Sequence, residues 1–238
     1  MTHALVLFSG GMDSTALLYY VVHQLNYEKV STVSFDYGQK NKKELEAVKN
    51  IINYMNGKDN QLHEYKQTNK IIKVDLRQFG GSALTDDKID VPKAEENKQT
   101  STVVPARNSI FLSLATAYAE TIGATDIFIG VNFEDFKSYP DCRGEFISKM
   151  SEAMRTGNNI RGIYAPFVLW SKKCIISFCT KLNVPWELTW SCYEGGEKPC
   201  LKCDACVERM MGFYLSDMYD PLVSKEEFDK FINECDRI

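Results

Sequence analysis

An apolar run over residues 4–8 passes straight into Ser9-Gly10-Gly11-Met12-Asp13-Ser14-Thr15, and a helical pattern follows over residues 15–25. That order predicts a buried strand, a glycine loop at its carboxyl edge and a helix leaving the loop. Two glycines there let the backbone come close to a ligand, while the free amides and dipole at the helix start attract an anion. Phosphate is the natural candidate. The segment lacks the lysine of a P-loop and the G-x-G-x-x-G spacing of a dinucleotide site, so neither arrangement applies. A plain helix start capped by Ser9 or Asp13 is the alternative use of the same residues.

Short apolar runs and helical patterns keep alternating along the chain, which predicts a parallel sheet. Further strands are expected over 30–35, 71–75 and 126–131. Helices are expected over 42–54, 109–122, 145–155 and 172–182, with Gly123 closing the third helix of the chain and Ser171 opening the last. Residues 85–99 read as a polar loop. The fold class expected is α/β, an open doubly wound, mainly parallel sheet over 1–185, with a C-terminal helical zinc-binding segment over 186–238 packed on it. Lys and Arg total 28 against 32 Asp and Glu, a net charge of -4 that gives no overall attraction to nucleic acid or anionic lipid. The first residues show no basic leader, and no apolar run approaches membrane-spanning length. A cytoplasmic protein is expected.

In a reducing compartment cysteines serve metals more often than disulfides. Of the eight cysteines, Cys192, Cys200, Cys203 and Cys206 are clustered, with Gly195, Gly196 and Pro199 supplying turns between them. Four thiolates at such spacing suit one tetrahedral zinc ion with no open position, hence a structural role. An iron–sulfur cluster is the competing use of the same set. Cys142, Cys174, Cys179 and Cys235 are scattered and read as structural or incidental.

Three more groups sit at predicted element ends: Ser34-Phe35-Asp36-Tyr37-Gly38-Gln39, Val104-Pro105-Ala106-Arg107-Asn108 and Gly130-Val131-Asn132-Phe133-Glu134-Asp135. In an open parallel sheet, ligands lie beyond the carboxyl ends of strands, so these residues can face the crevice of the Ser9 loop. Ordinary turn chemistry would place the same residue types there. Ser9-Gly10-Gly11-Met12-Asp13-Ser14 itself looks like a PP-loop. Together with Gly80-Gly81-Ser82-Ala83-Leu84-Thr85-Asp86, Tyr139-Pro140-Asp141-Cys142-Arg143 and Trp190-Ser191-Cys192-Tyr193-Glu194-Gly195-Gly196, the ordered set resembles the 7-cyano-7-deazaguanine synthases. These are the QueC family of PP-loop ATP pyrophosphatases, and the resemblance runs over nearly the whole chain. One departure follows Ser171: the family's Lys-x-Glu-Ile pattern is here Lys172-Lys173-Cys174-Ile175.

The resemblance implies conversion of 7-carboxy-7-deazaguanine and ammonia to the nitrile, with two ATP cleaved to AMP and diphosphate, in a homodimer. It implies an ATP site over Phe8, Ser9, Gly10, Gly11, Met12, Asp13, Ser14, Thr15, Ala16, Leu17 and Leu18, with Mg2+ between the phosphates and Asp13. Asp13, Arg107 and Asp135 are the expected catalytic residues. Arg107, whose planar fork suits paired oxygens, is joined by Asn132, Asp135, Asp141 and Arg143 as candidates for holding the substrate. A structural ion pair is the plain alternative for Arg107. Phe35, Tyr37 and Phe133 are candidates for stacking on a base, although aromatic residues beside strand ends are more often core. A PP-loop enzyme that modifies tRNA directly would need a basic surface, and a non-catalytic zinc ribbon would leave the Ser9 loop without a use.

Overall fold

The computed structural model describes residues 2–58, 68–94 and 99–235. His3–Leu7 (β1) is buried at every position, as a central strand covered on both faces must be. It leads into Met12–Gln24 (α1), then Lys29–Asp36 (β2), Lys43–Lys58 (α2) and Asn69–Lys73 (β3). Arg107–Ile122 (α3), Asp126–Phe128 (β4), the short Asp135–Ser138 (α4), Gly144–Gly157 (α5) and Gly162–Tyr164 (β5) follow. Lys172–Cys179 (α6), Asp204–Leu215 (α7) and Lys225–Cys235 (α8) complete the described elements. All five strands are parallel, in the order β3-β2-β1-β4-β5.

The pleat of β1 divides the core in two. Ala4 and Val6, with Phe8 just beyond, pack with α1, α2 and the C-terminal helices, while Leu5 and Leu7 point to α3 and α5. Met210 and Phe213 of α7 and Phe231 of α8 belong to the same apolar cluster as Ala4 and Val6, so residues 186–235 are joined to the sheet by continuous core. No helix among the described residues is long and apolar enough to cross a membrane.

Element ends follow the expected chemistry in detail. Gly123 closes α3 at φ 71°, its N–H donating to Ala119 and Glu120 carbonyls. Ser171 caps α6, its hydroxyl accepting from the Cys174 N–H at 3.3 Å. The differences are local. β4 stops at Phe128, short of the expected residue 131, because the chain then turns toward α1. A Cβ on Gly130 would lie 3.2 Å from the Ser14 amide nitrogen, a close approach that glycine alone makes comfortable. Helix α6 ends at Cys179 and tightens into a 3-10 turn over Thr180–Leu182. Part of the expected loop over 85–99 lies outside the described residues.

One buried ion pair fastens α7 to the chain on both sides. Arg209 donates to both Asp220 carboxylate oxygens at 2.6 and 2.9 Å, to Thr189 Oγ1 at 2.6 Å and to the Trp186 carbonyl at 3.0 Å. Arg209 is 3% exposed and Asp220 2%, so neither charge has water to fall back on. Asp220→Ala is therefore expected to lower the unfolding free energy by about 3–5 kcal/mol, because it strands a buried guanidinium. Urea titration followed by tryptophan fluorescence checks this.

Candidate active site

The chain runs from β1 outward to β2 and β3, then crosses to β4 and β5 on the other side, so strand order reverses at β1. Open α/β sheets bind ligands beyond the carboxyl ends of strands at such a reversal. A cavity of about 240 Å³ lies there, walled by the loop after β1, residues following β2 and β4, the first turn of α3, and α6 and α7.

The loop is held by its own side chains. Ser9 and Ser14 hydroxyls are 3.0 Å apart, the Gly11 N–H donates to Ser9 Oγ at 3.3 Å, and Thr15 Oγ1 donates to the Gly11 carbonyl at 2.7 Å. Gly10 sits at φ 79°, and a Cβ there would lie 2.6 Å from the Glu44 carbonyl oxygen, which excludes any other residue without movement of α2. Phe8, Ser9, Gly11, Met12, Asp13 and Ser14 line the cavity. Gly10 instead faces α2. Thr15, Ala16, Leu17 and Leu18 are fully buried and do not line this cavity, because α1 beyond its first turn is surrounded by core on every side.

Across the cavity stands Lys172, the first residue of α6, 6% exposed. Its Nζ donates to Asp13 Oδ2 at 2.9 Å and is 3.6 Å from Glu208 Oε2. Burial opposes its charge, but Asp13, Glu208 and Asp135 together hold its pKa above the usual lysine value. Asp135 is raised by burial, opposed by Lys172 and reinforced by Asp13. Glu208 is pushed up to about 7 by burial, again against the pull of Lys172. Three acidic groups thus crowd one lysine beside the glycine loop. Asp13 Oδ1 is buried with no hydrogen-bond partner among the described residues, an unmet acceptor that a bound cation would satisfy.

The sequence candidates divide. Arg107 and Asp135 line the cavity with Asp13, as do Phe35 and Tyr37. Phe35 stacks on Phe111 with ring centroids 4.1 Å apart. Asn132 is fully buried and shapes the turn that presents Asp135: its Oδ1 accepts from the Glu134 N–H at 2.9 Å, while its own N–H donates to Asp135 Oδ2 at 3.0 Å. Asp141 accepts from the Asn108 N–H at 3.1 Å and so holds the start of α3. Arg143 is exposed, donating to the Phe136 carbonyl at 3.3 Å. Neither Asp141 nor Arg143 lines the cavity, and Phe133 is 51% exposed and outside it. Polar loops of this kind commonly cap helices and cover sheet edges, and Asp141 and Arg143 take such positions here.

Glu44, Lys172, Tyr193 and Glu208 also line the cavity, and sequence reasoning assigned them no role. Glu44 and Glu208 lie within amphipathic helices where an acidic residue reads as solvated surface. Cys174, the position of the family departure, is exposed in the first turn of α6, three residues after the Ser171 cap. A glutamate there would complete a capping box, so the departure falls on a helix start outside the cavity.

The cysteine cluster lies at the N-terminus of α7. The sulfurs of Cys192, Cys200, Cys203 and Cys206 all lie within 4.8 Å of one another. A Zn–S bond of about 2.3 Å places tetrahedral sulfurs about 3.8 Å apart, and the Cys200 and Cys206 sulfurs are 3.9 Å apart. Backbone N–H groups of Cys200 and Cys203 donate to the sulfurs of Cys192 and Cys200 at 3.3 Å each, as thiolates require. The set can hold one metal ion. Cys203 occupies the N-cap position of α7 and Cys206 sits in its first turn, so an ion here would fix the helix that carries Glu208 and Arg209.

A family model for "Queuosine biosynthesis protein QueC" matches residues 3–217. Among curated relatives, a 7-cyano-7-deazaguanine synthase of Picrophilus torridus is 45% identical, the match covering 97% of this chain and 95% of that one. That of Thermoplasma acidophilum is 44% identical, covering 96% and 92%. Among solved structures, NMN synthetase from Francisella tularensis superposes with a TM-score of 0.50 at 14% identity, over 98% of this chain and 84% of that one, a likeness of fold alone.

Proposed function

The chain belongs to the family of queuosine biosynthesis protein QueC, and from that premise we propose that it converts 7-carboxy-7-deazaguanine and ammonia to 7-cyano-7-deazaguanine, cleaving two ATP to AMP and diphosphate. The observation that carries this reading is the buried Lys172–Asp13 pair set against a glycine loop at the reversal of strand order. It is an arrangement for charge that arrives and departs. Ser9, Gly11 and Ser14 would cradle the phosphates, and Lys172 would shift from Asp13 to the leaving diphosphate as negative charge builds there. Mg2+ would be held between the phosphates and Asp13, where it screens their charge.

Attack by a substrate carboxylate oxygen on the α-phosphorus forms an acyl adenylate and releases diphosphate. Ammonia then displaces AMP and leaves an amide. In a second round the amide oxygen takes AMP from another ATP, and loss of that oxygen as AMP with protons from nitrogen gives the nitrile. A carboxylate alone resists ammonia because its oxygen leaves poorly; adenylation supplies the leaving group. Arg107 would hold the carboxylate in place through its paired N–H groups.

We assign zinc to the cysteine cluster as a structural ion, because a closed four-sulfur shell leaves no position for substrate. Sulfurs that share a single ion stand closer together than those bound to separate irons, and the 4.8 Å limit favours the single ion. A cytoplasmic homodimer without nucleic acid fits the family and the net charge of -4; light scattering after size exclusion checks the assembly. Gly11→Val puts a branched side chain into the loop, where a Cβ already lies 3.2 Å from Ser9 Oγ. ATP binding by calorimetry is expected to disappear while the melting temperature holds; unchanged binding removes the loop from the ATP site. The function itself is tested by mass spectrometry of products from the purified protein with 7-carboxy-7-deazaguanine, ATP, Mg2+ and ammonium. Nitrile and AMP support it, and neither forming rejects it.

A further inference from the structure

Among the described residues four acidic side chains line the cavity, and three of them, Asp13, Asp135 and Glu208, surround Lys172. The fourth, Glu44, stands apart in the first turn of α2, near Arg107. It also lines a small recess off the cavity, of about 30 Å³, with Tyr37, Leu84, Arg107 and Tyr193. Among the described residues no hydrogen bond or ion pair reaches its carboxylate. Burial pushes Glu44 up to about 7, against the pull of Arg107. Half-buried at the cavity wall with no donor from the described residues, this carboxylate is an acceptor that a ligand's donors would satisfy.

The substrate proposed above carries such donors. Its 2-amino-4-oxopyrimidine ring presents a ring N–H and an exocyclic NH2 side by side, matching the two oxygens of a carboxylate. Its carbonyl and carboxylate are acceptors, matching Arg107. Asp135, one of the sequence candidates for holding the substrate, is taken up by the Asn132 N–H and the Lys172 group. We propose that Glu44 determines specificity for the ring, its carboxylate accepting from the ring N–H and the 2-amino group while Arg107 faces the acceptor side. This rests on the function proposed above.

The test compares kcat/KM for 7-carboxy-7-deazaguanine and for its analogue lacking the 2-amino group, in the wild-type protein and in Glu44→Gln. Losing one donor to a carboxylate covered by the bound ring leaves an oxygen unpaired, so the wild type is expected to prefer the 2-amino compound by about 10- to 100-fold. In Glu44→Gln, which keeps size but not charge, kcat/KM for the natural compound falls and the preference shrinks to within about threefold. KM for ATP, read on the same variant, stays near the wild-type value. A preference that survives in Glu44→Gln overturns the proposal, as does an effect confined to ATP or Mg2+ dependence. A wild-type protein that turns over neither compound refutes the function itself, and this assignment with it.

Discussion

Lys172→Met is expected to lower kcat for AMP release by about 100- to 1000-fold, the size of effect seen when one preorganised charge is taken from a transition state. Methionine keeps the length and apolar stem of the side chain, so packing against α7 is retained; Lys172 Cβ already comes within 3.0 Å of where a Cβ on Gly212 would sit. What disappears is the cation that faces Asp13 at 2.9 Å and Glu208 at 3.6 Å. The acidic groups left behind then repel the incoming phosphates. Because diphosphate gains charge as it leaves, the loss should fall more on kcat than on KM for ATP. Steady-state assay of AMP, with thermal melting as the check on folding, measures both. A variant within about threefold of wild-type kcat would reduce Lys172 to a structural ion pair.

Cys206→Ala should be as damaging by a different route. Structural zinc contributes about 10–16 kcal/mol of apparent binding free energy in small peptides, and that energy is folding energy. Here the ion would hold the start of α7, and α7 brings Glu208 and Arg209 to the cavity wall. Loss of one ligand is expected to drop metal content from one ion per chain to near zero and to expose residues 186–235 to limited proteolysis. It should also reduce kcat/KM by more than about 100-fold, beyond the loss typical of an outer-shell change. Elemental analysis on the same sample separates metal loss from simple misfolding. A metal-free variant with full activity would detach the cluster from the active site.

Much of this could be read in the residues because local chemistry dictated it. The apolar run into two glycines set β1, the loop and α1; Gly123 and Ser171 marked helix ends; four spaced cysteines marked a metal set. Each signal is contained within a few neighbouring residues. β5 escaped because Gly162–Tyr164 is only three residues long and has no alternation to read. The helical C-terminal segment expected is present as α7 and α8, but their bounds escaped because cysteines, glycines and charges obscure the period. Glu44, Lys172 and Glu208 line one cavity only because α2, α6 and α7 gather around the loop after β1, a long-range result of topology. Conversely, Asp141 and Arg143 carried a motif but no cavity contact, since the same residue types serve as helix caps and surface covers.

The most direct measurement is of oxygen transfer. With both carboxylate oxygens of 7-carboxy-7-deazaguanine labelled with 18O, the purified protein is incubated with ATP, Mg2+ and ammonium, and AMP is analysed by mass spectrometry. Two adenylations should move one labelled oxygen into each AMP, giving two singly labelled AMP for every nitrile formed. Unlabelled AMP, or ADP in its place, would contradict adenylation of the substrate in this cavity.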